Sequence, residues 1–285
     1  MTHLLEKWIV AIALITAPLA IQASDYSRTV VAGGSITEVV YALEAEEHLV
    51  AVDRTSLHPP EALQLENIGY VRRLSAEPIL SVNPSLLLVE PDAGPQTALD
   101  QISSAGVEII KVNDDISVEG VLKKIKTVGT ALDRDAEADA LIAKLSQSVA
   151  DVLERVKAQP KSPRVIFLLS IGQGAPLAAG RDTSATSIIE LAGGTNPLLG
   201  FESYKPASPE AIIAADPEFI LVTRRTAGFL GGAEEILSRP EIAITEAGKQ
   251  GNIIVMDGLL LLGFGPRIDT AIMELASQLH DNLSE

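Results

Sequence analysis

The sequence predicts an α/β protein of two lobes, each a mostly parallel sheet flanked by helices, joined by one long rigid helix with a ligand cleft between the lobes. Three observations predict it. Short buried apolar runs alternate with amphipathic stretches, the pattern of parallel strands feeding crossover helices. The segment 76–89 can be laid over 209–222: each has a glutamate in the first turn of a short helix, an Asn-Pro or Asp-Pro stop, then an apolar strand. Between the two copies, residues 133–159 carry Ala138, Leu141, Ile142, Leu145, Val149, Val152, Leu153 and Val156 in steps of three and four without a break. That spacing is the signature of a single amphipathic helix. A duplicated α/β unit on either side of one strut makes a cleft between lobes, where small ligands bind.

Taken in order, residues 8–21 form an almost wholly apolar run, too short for a comfortable membrane span, with small residues near Ala23. This predicts a signal peptide over 1–23, removed after Ala23. The N-terminal lobe is expected over 24–132. Within it, 28–32 reads as a buried strand, Gly33-Gly34-Ser35 as a turn, and a helix follows from about Thr37. Strands follow at 48–53, 86–89 and 107–112, and helices at 76–82, 96–105 and 118–132. Asp133 is expected to cap the connecting helix over 133–159, and Pro160 and Pro163 to stop it. In the C-terminal lobe, 160–285, strands are expected at 165–169, 219–222 and 253–256. Helices are expected there at 183–191, 209–215 and 266–280. Ser75 and Ser208 stand where an N-cap serine belongs, ahead of the two repeated helices.

Composition narrows the function. The 285 residues carry 22 basic and 38 acidic side chains, a formal net charge of −16. Nucleic acid and anionic membrane need a basic surface, so neither is expected as a partner. There is no cysteine. That excludes disulfides, thiolate metal sites, cysteine nucleophiles and a lipid attached behind the signal. An exported, soluble, non-lipoprotein chain in a bacterial periplasm is expected.

Catalytic motifs are thin. Gly33-Gly34 after a strand, with Asp53 downstream, resembles part of a dinucleotide loop, but the third glycine of G-x-G-x-x-G is missing. A tight strand-to-helix turn is the better reading; an α/β enzyme using a nucleotide there is the rival from another class. The four histidines, His3, His48, His58 and His280, have no zinc-like spacing, and Ser170 lies outside any nucleophile elbow. No enzyme activity is expected.

The informative stretch is Gly69-Tyr70-Val71-Arg72-Arg73-Leu74-Ser75-Ala76-Glu77, a tyrosine beside two arginines in a loop ahead of a helix. Phenols ionise near pH 10, and either a guanidinium or a ferric ion favours the phenolate. Tyrosine is a known axial ligand of haem iron, and arginine pairs with carboxylates in bidentate fashion. On chemistry alone the same stretch is equally well a solvated surface loop.

That stretch resembles the haem-binding periplasmic proteins of bacterial haem ABC transporters, within the wider group that carries vitamin B12 and siderophores. So do Ala175-Pro176-Leu177-Ala178-Ala179-Gly180 and Gly263-Phe264-Gly265-Pro266-Arg267. The likeness covers roughly 28–280. It implies ferric haem as transported ligand, an inner-membrane ABC permease as partner, an outer-membrane haem receptor system upstream, and a monomer. A ferric siderophore or a corrinoid is the alternative cargo. By resemblance Tyr70 is the iron ligand, Arg72, Arg73 and Arg267 serve the propionates or the tyrosine, and Glu77 and Glu210 dock the permease. Some relatives place a second axial histidine in the loop after the first strand of the second lobe. Here that loop is Ser170-Ile171-Gly172-Gln173-Gly174, with no histidine. The iron is then five-coordinate, or His58 or a water completes it, and two stacked haems are not expected.

Overall fold

A computed structural model describes residues 26–172 and 174–283. The signal-peptide expectation over 1–23 lies outside the described residues. Among the described residues, no helix is long and apolar enough to cross a membrane.

The first lobe opens with strand β1 (Thr29–Ala32), helix α1 (Gly34–Ala42) and β2 (Leu49–Val52). Three two-residue strands follow: β3 (Glu66–Asn67), β4 (Gly69–Tyr70) and β5 (Arg73–Leu74). Then come α2 (Ala76–Leu80), β6 (Leu86–Val89), α3 (Gln96–Ser104), β7 (Glu108–Lys111) and α4 (Val118–Ala131). Its sheet runs β3-β2-β1-β6-β7, and every pairing is parallel. β4 and β5 make a separate antiparallel hairpin with Tyr70 opposite Arg73.

Helix α5 (Asp135–Lys157), 23 residues long, leads to the second lobe. There β8 (Val165–Ser170), β9 (Leu177–Ala179), α6 (Ser184–Leu191), β10 (Tyr204–Pro206), α7 (Pro209–Ala215) and β11 (Phe219–Thr223) follow in turn. Four short helices, α8 (Arg224–Phe229), α9 (Ala233–Leu237), α10 (Pro240–Ala243) and α11 (Glu246–Gln250), precede β12 (Ile253–Met256). The chain closes on α12 (Gly258–Leu262) and α13 (Ile268–Leu279). This sheet runs β10-β9-β8-β11-β12, parallel on the β8-β11-β12 side and antiparallel through β9 and β10.

Both sheets are covered on both faces, as parallel sheets must be. Alternate strand residues divide between layers: Val31, Leu86 and Leu88 face a central core shared with α5 and the second lobe, while Val30, Leu87 and Val89 face an outer cluster. Phe167 joins the central core, and Ile166 and Leu168 an outer cluster of the second lobe. Helix α5 buries Ala138, Leu145, Val149 and Val156, and it packs on α4 and α13. Its approach to α4 requires Gly129: a Cβ there would stand 2.4 Å from Cβ of Ala138.

The repeat is real in three dimensions. α2 leads to β6 and α7 to β11, and each strand lies beside the first strand of its own sheet. The turns match in detail. Asn83 and Asp216 both adopt positive φ (46° and 37°), a conformation that short polar side chains tolerate. An arginine just ahead of each first strand ties the turn down: Arg28 Nε donates to the Asn83 carbonyl (2.9 Å) and Arg164 Nε to that of Asp216 (2.8 Å).

Several boundaries differ from expectation. Helix α1 starts at Gly34, because the N–H groups of Gly33 and Gly34 are capped from β2's far end rather than by a residue near Thr37. Asp133 does not cap α5: it sits at φ 55°, in the preceding turn, and Arg134 holds the cap position without a side-chain bond. Ser208 caps α7 through the Ala211 N–H (3.2 Å), but Ser75 makes no such bond to α2. Tyr70 is in a short hairpin rather than an open loop.

Candidate functional site

Ligands of parallel α/β sheets sit outside the carboxyl ends of the strands. Here those ends from both lobes converge on one cleft of about 890 Å³. The first lobe contributes Arg54, Thr55 and Leu57, which follow β2, and Tyr70 from the hairpin. The second contributes Ser170 and Ile171 at the end of β8, Thr223 at the end of β11 with Arg224 to Thr226 after it, Phe229 in α8, and Asp257 to Leu259 after β12. Leu57 and Phe229 keep 55% and 86% of their surface exposed on this cleft. Large apolar side chains left in solvent on facing walls suit a broad apolar ligand.

Tyr70 is built into a network. Arg72 donates Nη1 to its hydroxyl oxygen at 3.1 Å and Nε to Asp92. The hydrogen bond with Asp92 is the main cause that holds the Arg72 guanidinium above its ordinary pKa. The guanidinium of Arg54 lies over the Tyr70 ring, 4.4 Å from its centroid, and the Arg54 N–H donates to the Gly69 carbonyl (2.8 Å). Cation–π stacking at an exposed site contributes about 0.5–1 kcal/mol, enough to bias the ring's orientation.

The other tyrosines serve elsewhere. Tyr26 packs edge-on against His48, Tyr41 belongs to α1, and Tyr204 packs on Phe167 and shares a 3.3 Å hydrogen bond with Ser184.

The remaining expected site residues scatter. Arg73 is exposed on β5, opposite Tyr70 in the hairpin, and does not line the cleft. Arg267 is not brought to the cleft wall; its guanidinium forks onto Glu38 of α1, with Nε 3.1 Å from Oε2. His58 is half-buried in the segment after β2 and is not among the lining residues. Glu77 and Glu210 are exposed, in the first turns of α2 and α7.

The turn at Gly33-Gly34 is already filled. Gly33 N–H donates to Asp53 (3.2 Å) and Gly34 N–H to Thr55 (2.9 Å). A buried carboxylate therefore stands where a nucleotide phosphate would need free N–H donors. A side chain at Gly34 would meet the Thr55 carbonyl oxygen at 2.4 Å and Leu259 of the second lobe at 2.8 Å, so the turn packs against both lobes.

Sequence reading missed Arg54, Asp92, Phe229 and the Arg224-Arg225 pair. The signal was available for most of them: each of these arginines stands within three residues of the end of a predicted strand.

Residues 30–259 match the family model for periplasmic binding proteins, and the chain belongs to that family. Its curated relatives include the vitamin B12-binding protein of Pectobacterium atrosepticum, 25% identical over 98% of this chain and 96% of that one. An uncharacterised ABC transporter substrate-binding lipoprotein of Bacillus subtilis is 24% identical over 86% of this chain and 77% of its own. Among solved structures, the periplasmic haem-binding protein RhuT of Roseiflexus sp. RS-1 superposes with TM-score 0.86 at 38% identity, covering 90% of this chain and 99% of RhuT. BhuT, solved in complex with two haems, gives TM-score 0.87 at 36% identity over 90% of this chain and 98% of BhuT. The family is one of binding proteins for transport, not of enzymes.

Proposed function

We propose that this chain captures ferric haem in the interlobe cleft and delivers it to an inner-membrane ABC permease. It acts as a periplasmic monomer downstream of an outer-membrane haem receptor system. The observation that carries the reading is Tyr70: a phenol on the cleft wall whose oxygen already receives a guanidinium hydrogen bond from Arg72. The likeness to haem-binding structures at 36–38% identity supports it. A phenolate is a hard anionic donor that suits ferric iron, and Arg72 stands ready to offset its charge. Leu57 and Phe229 on the cleft walls offer apolar surface for the porphyrin's faces. The sequence 170–174 contains no histidine, so the iron is five-coordinate or takes water or His58 as its sixth ligand. Arg73 and Arg267 support the ligand at most indirectly.

Mixing with hemin should give a shifted Soret band at near-stoichiometric haem and a high-spin spectrum with a phenolate charge-transfer band. Tyr70→Phe removes one oxygen and keeps the ring's packing. It should retain weak residual haem binding and lose the charge-transfer band. A Tyr70→Phe protein with the parent spectrum and affinity moves the ligand role to His58 or Tyr204.

A corrinoid is the second reading, favoured by the vitamin B12-binding relatives at 22–26% identity. A corrinoid does not need a phenol with a guanidinium partner, and titration with cyanocobalamin tests it directly.

A further inference from the structure

Lys124 of α4 is fully buried. An ammonium out of water is costly unless it is paired and hydrogen-bonded, so a buried lysine asks for a reason. Four acceptors surround its Nζ: Ser35 Oγ of α1 at 2.8 Å, Asp114 after β7 at 3.0 Å, and the carbonyls of Gly263 and Phe264 at 3.3 and 3.1 Å. The first two belong to the first lobe and the last two to the second, so one ammonium spans the seam. Other charges stand beside it. Glu38 and Arg267 fork together across the same seam, with Nε 3.1 Å from Oε2, and Glu90 is close enough to feel the ammonium.

The tie reaches the cleft through α12. Gly258 and Leu259 line the cleft at one end of that helix, and Gly263 and Phe264 directly follow its other end. Five residues at 1.5 Å each put the two ends about 7.5 Å apart. The Gly263 N–H donates to the Leu259 carbonyl (2.9 Å), so helical bonding runs on to the acceptors of the lysine. Phe264 is 1% exposed and takes a φ of 45°, a conformation that only its surroundings can hold. The Leu259 side chain packs on the first lobe: its Cδ1 lies 2.8 Å from where a Cβ on Gly34 would stand. Part of the cleft wall is therefore built at the seam, and its place depends on how the lobes are fastened.

We propose that Lys124 is a positioning residue for ligand binding: through the Gly263 and Phe264 carbonyls and α12 it fixes the cleft wall at Gly258-Leu259 and the spacing of the two lobes. It lies outside the cleft lining and acts only through α12. Hydrogen bonds suit the task because they are directional, whereas apolar packing alone would let the 263–267 segment slide. The haem reading supplies the ligand for the test; the seam geometry stands apart from it.

The chain has no cysteine, so Ser104→Cys and Lys249→Cys, both exposed and one on each lobe, accept a pair of spin labels cleanly. In that labelled background, inter-label distances and hemin titrations compare the protein that keeps Lys124 with Lys124→Met, which retains the apolar stem and removes the ammonium. The distance distribution should be narrow with Lys124 and broader without it. Hemin affinity should fall by about 2- to 30-fold, the range of couplings carried through a packed network, mainly through faster release. The tyrosinate band should survive, since Tyr70 and Arg72 are untouched. Lys124→Gln, one atom shorter and uncharged, should behave alike, and it carries the test if the methionine variant does not fold. A lysine that only stabilises the fold would lower the urea midpoint and leave both the distances and the hemin affinity unchanged; that result in a folded variant overturns the inference. A parent that takes up no hemin overturns the haem reading instead. The inter-label distances then decide this inference alone: an unchanged distribution overturns it, and a broadened one supports it.

Discussion

Glu90 stands at the carboxyl end of β6, mostly buried beside the turn that opens α1. Burial pushes its carboxyl up from 4.5 to about 7, with Asp114, Asp92 and Asp53 adding to the shift and Lys124 opposing it. The folded protein therefore holds this proton more tightly than the unfolded chain does. The stability it contributes is full below about pH 4.5 and is lost as pH rises through about 7. Glu90→Gln cannot ionise. Denaturant melts should find the variant more stable than the parent at about pH 8, by on the order of 3 kcal/mol, with the difference gone near pH 4.5. Parallel stability curves across that window would leave Glu90 an ordinary surface carboxylate. The neighbouring Asp92 shows how one residue type does different work two positions on: it is half-exposed and orients Arg72 toward Tyr70. An exposed pair of that kind adds little stability. Its use is geometric.

Helix α5 is stabilised by what it buries, since its propensity alone would hold a helix of this length only marginally. Its inner face carries Leu145, 4% exposed, within the core shared by both lobes. Leu145→Ala should cost about 2–5 kcal/mol in urea unfolding, while Lys144→Ala on the outer face should stay within about 0.5 kcal/mol. Similar costs for the two would mean that α5 spans the lobes without bearing on their core. The β4-β5 hairpin is the opposite kind of element. Two-residue strands show no periodicity to read, and the hairpin exists because Leu74 N–H reaches Gly94 and Arg54 N–H reaches Gly69, both across the fold.

At the scale of the molecule, the segment 263–267 of the second lobe is fastened to the first. Fully buried Lys124 of α4 donates to Ser35 (2.8 Å), Asp114 (3.0 Å) and the carbonyls of Gly263 (3.3 Å) and Phe264 (3.1 Å). The Glu38–Arg267 pair adds a second tie across the same seam. With α5 packed on α4 and α13, these bonds oppose a hinge between the lobes. A protein that changes shape little on loading must present docking features that do not depend on closure. Glu77 and Glu210 fit that need: both are exposed, and the repeat puts them at equivalent places on the two lobes. As single residues they also favour the positive ends of their helices. Glu77→Ala with Glu210→Ala should abolish haem uptake by cells while the purified double variant still binds hemin. Normal uptake would leave them only the helix-end role.

The sequence by itself determined the α/β class, the repeat, the long helix and Tyr70, because each is written in local order: strand runs of apolar residues, steps of three and four, an aromatic beside arginines. It also placed β6, α7 and β12 at their observed bounds. Only the tertiary structure decided which arginines are free. Arg267 and Glu38 are 229 positions apart, and nothing in either neighbourhood announces that they pair. Arg54 lies 16 positions before Tyr70, yet its guanidinium covers that ring because β2 and the hairpin end side by side. Charge pairing depends on distances through space, which local pattern does not carry. The cleft was therefore legible as far as Tyr70, and the arginines that share its walls became visible only when the carboxyl ends of the two sheets were brought together.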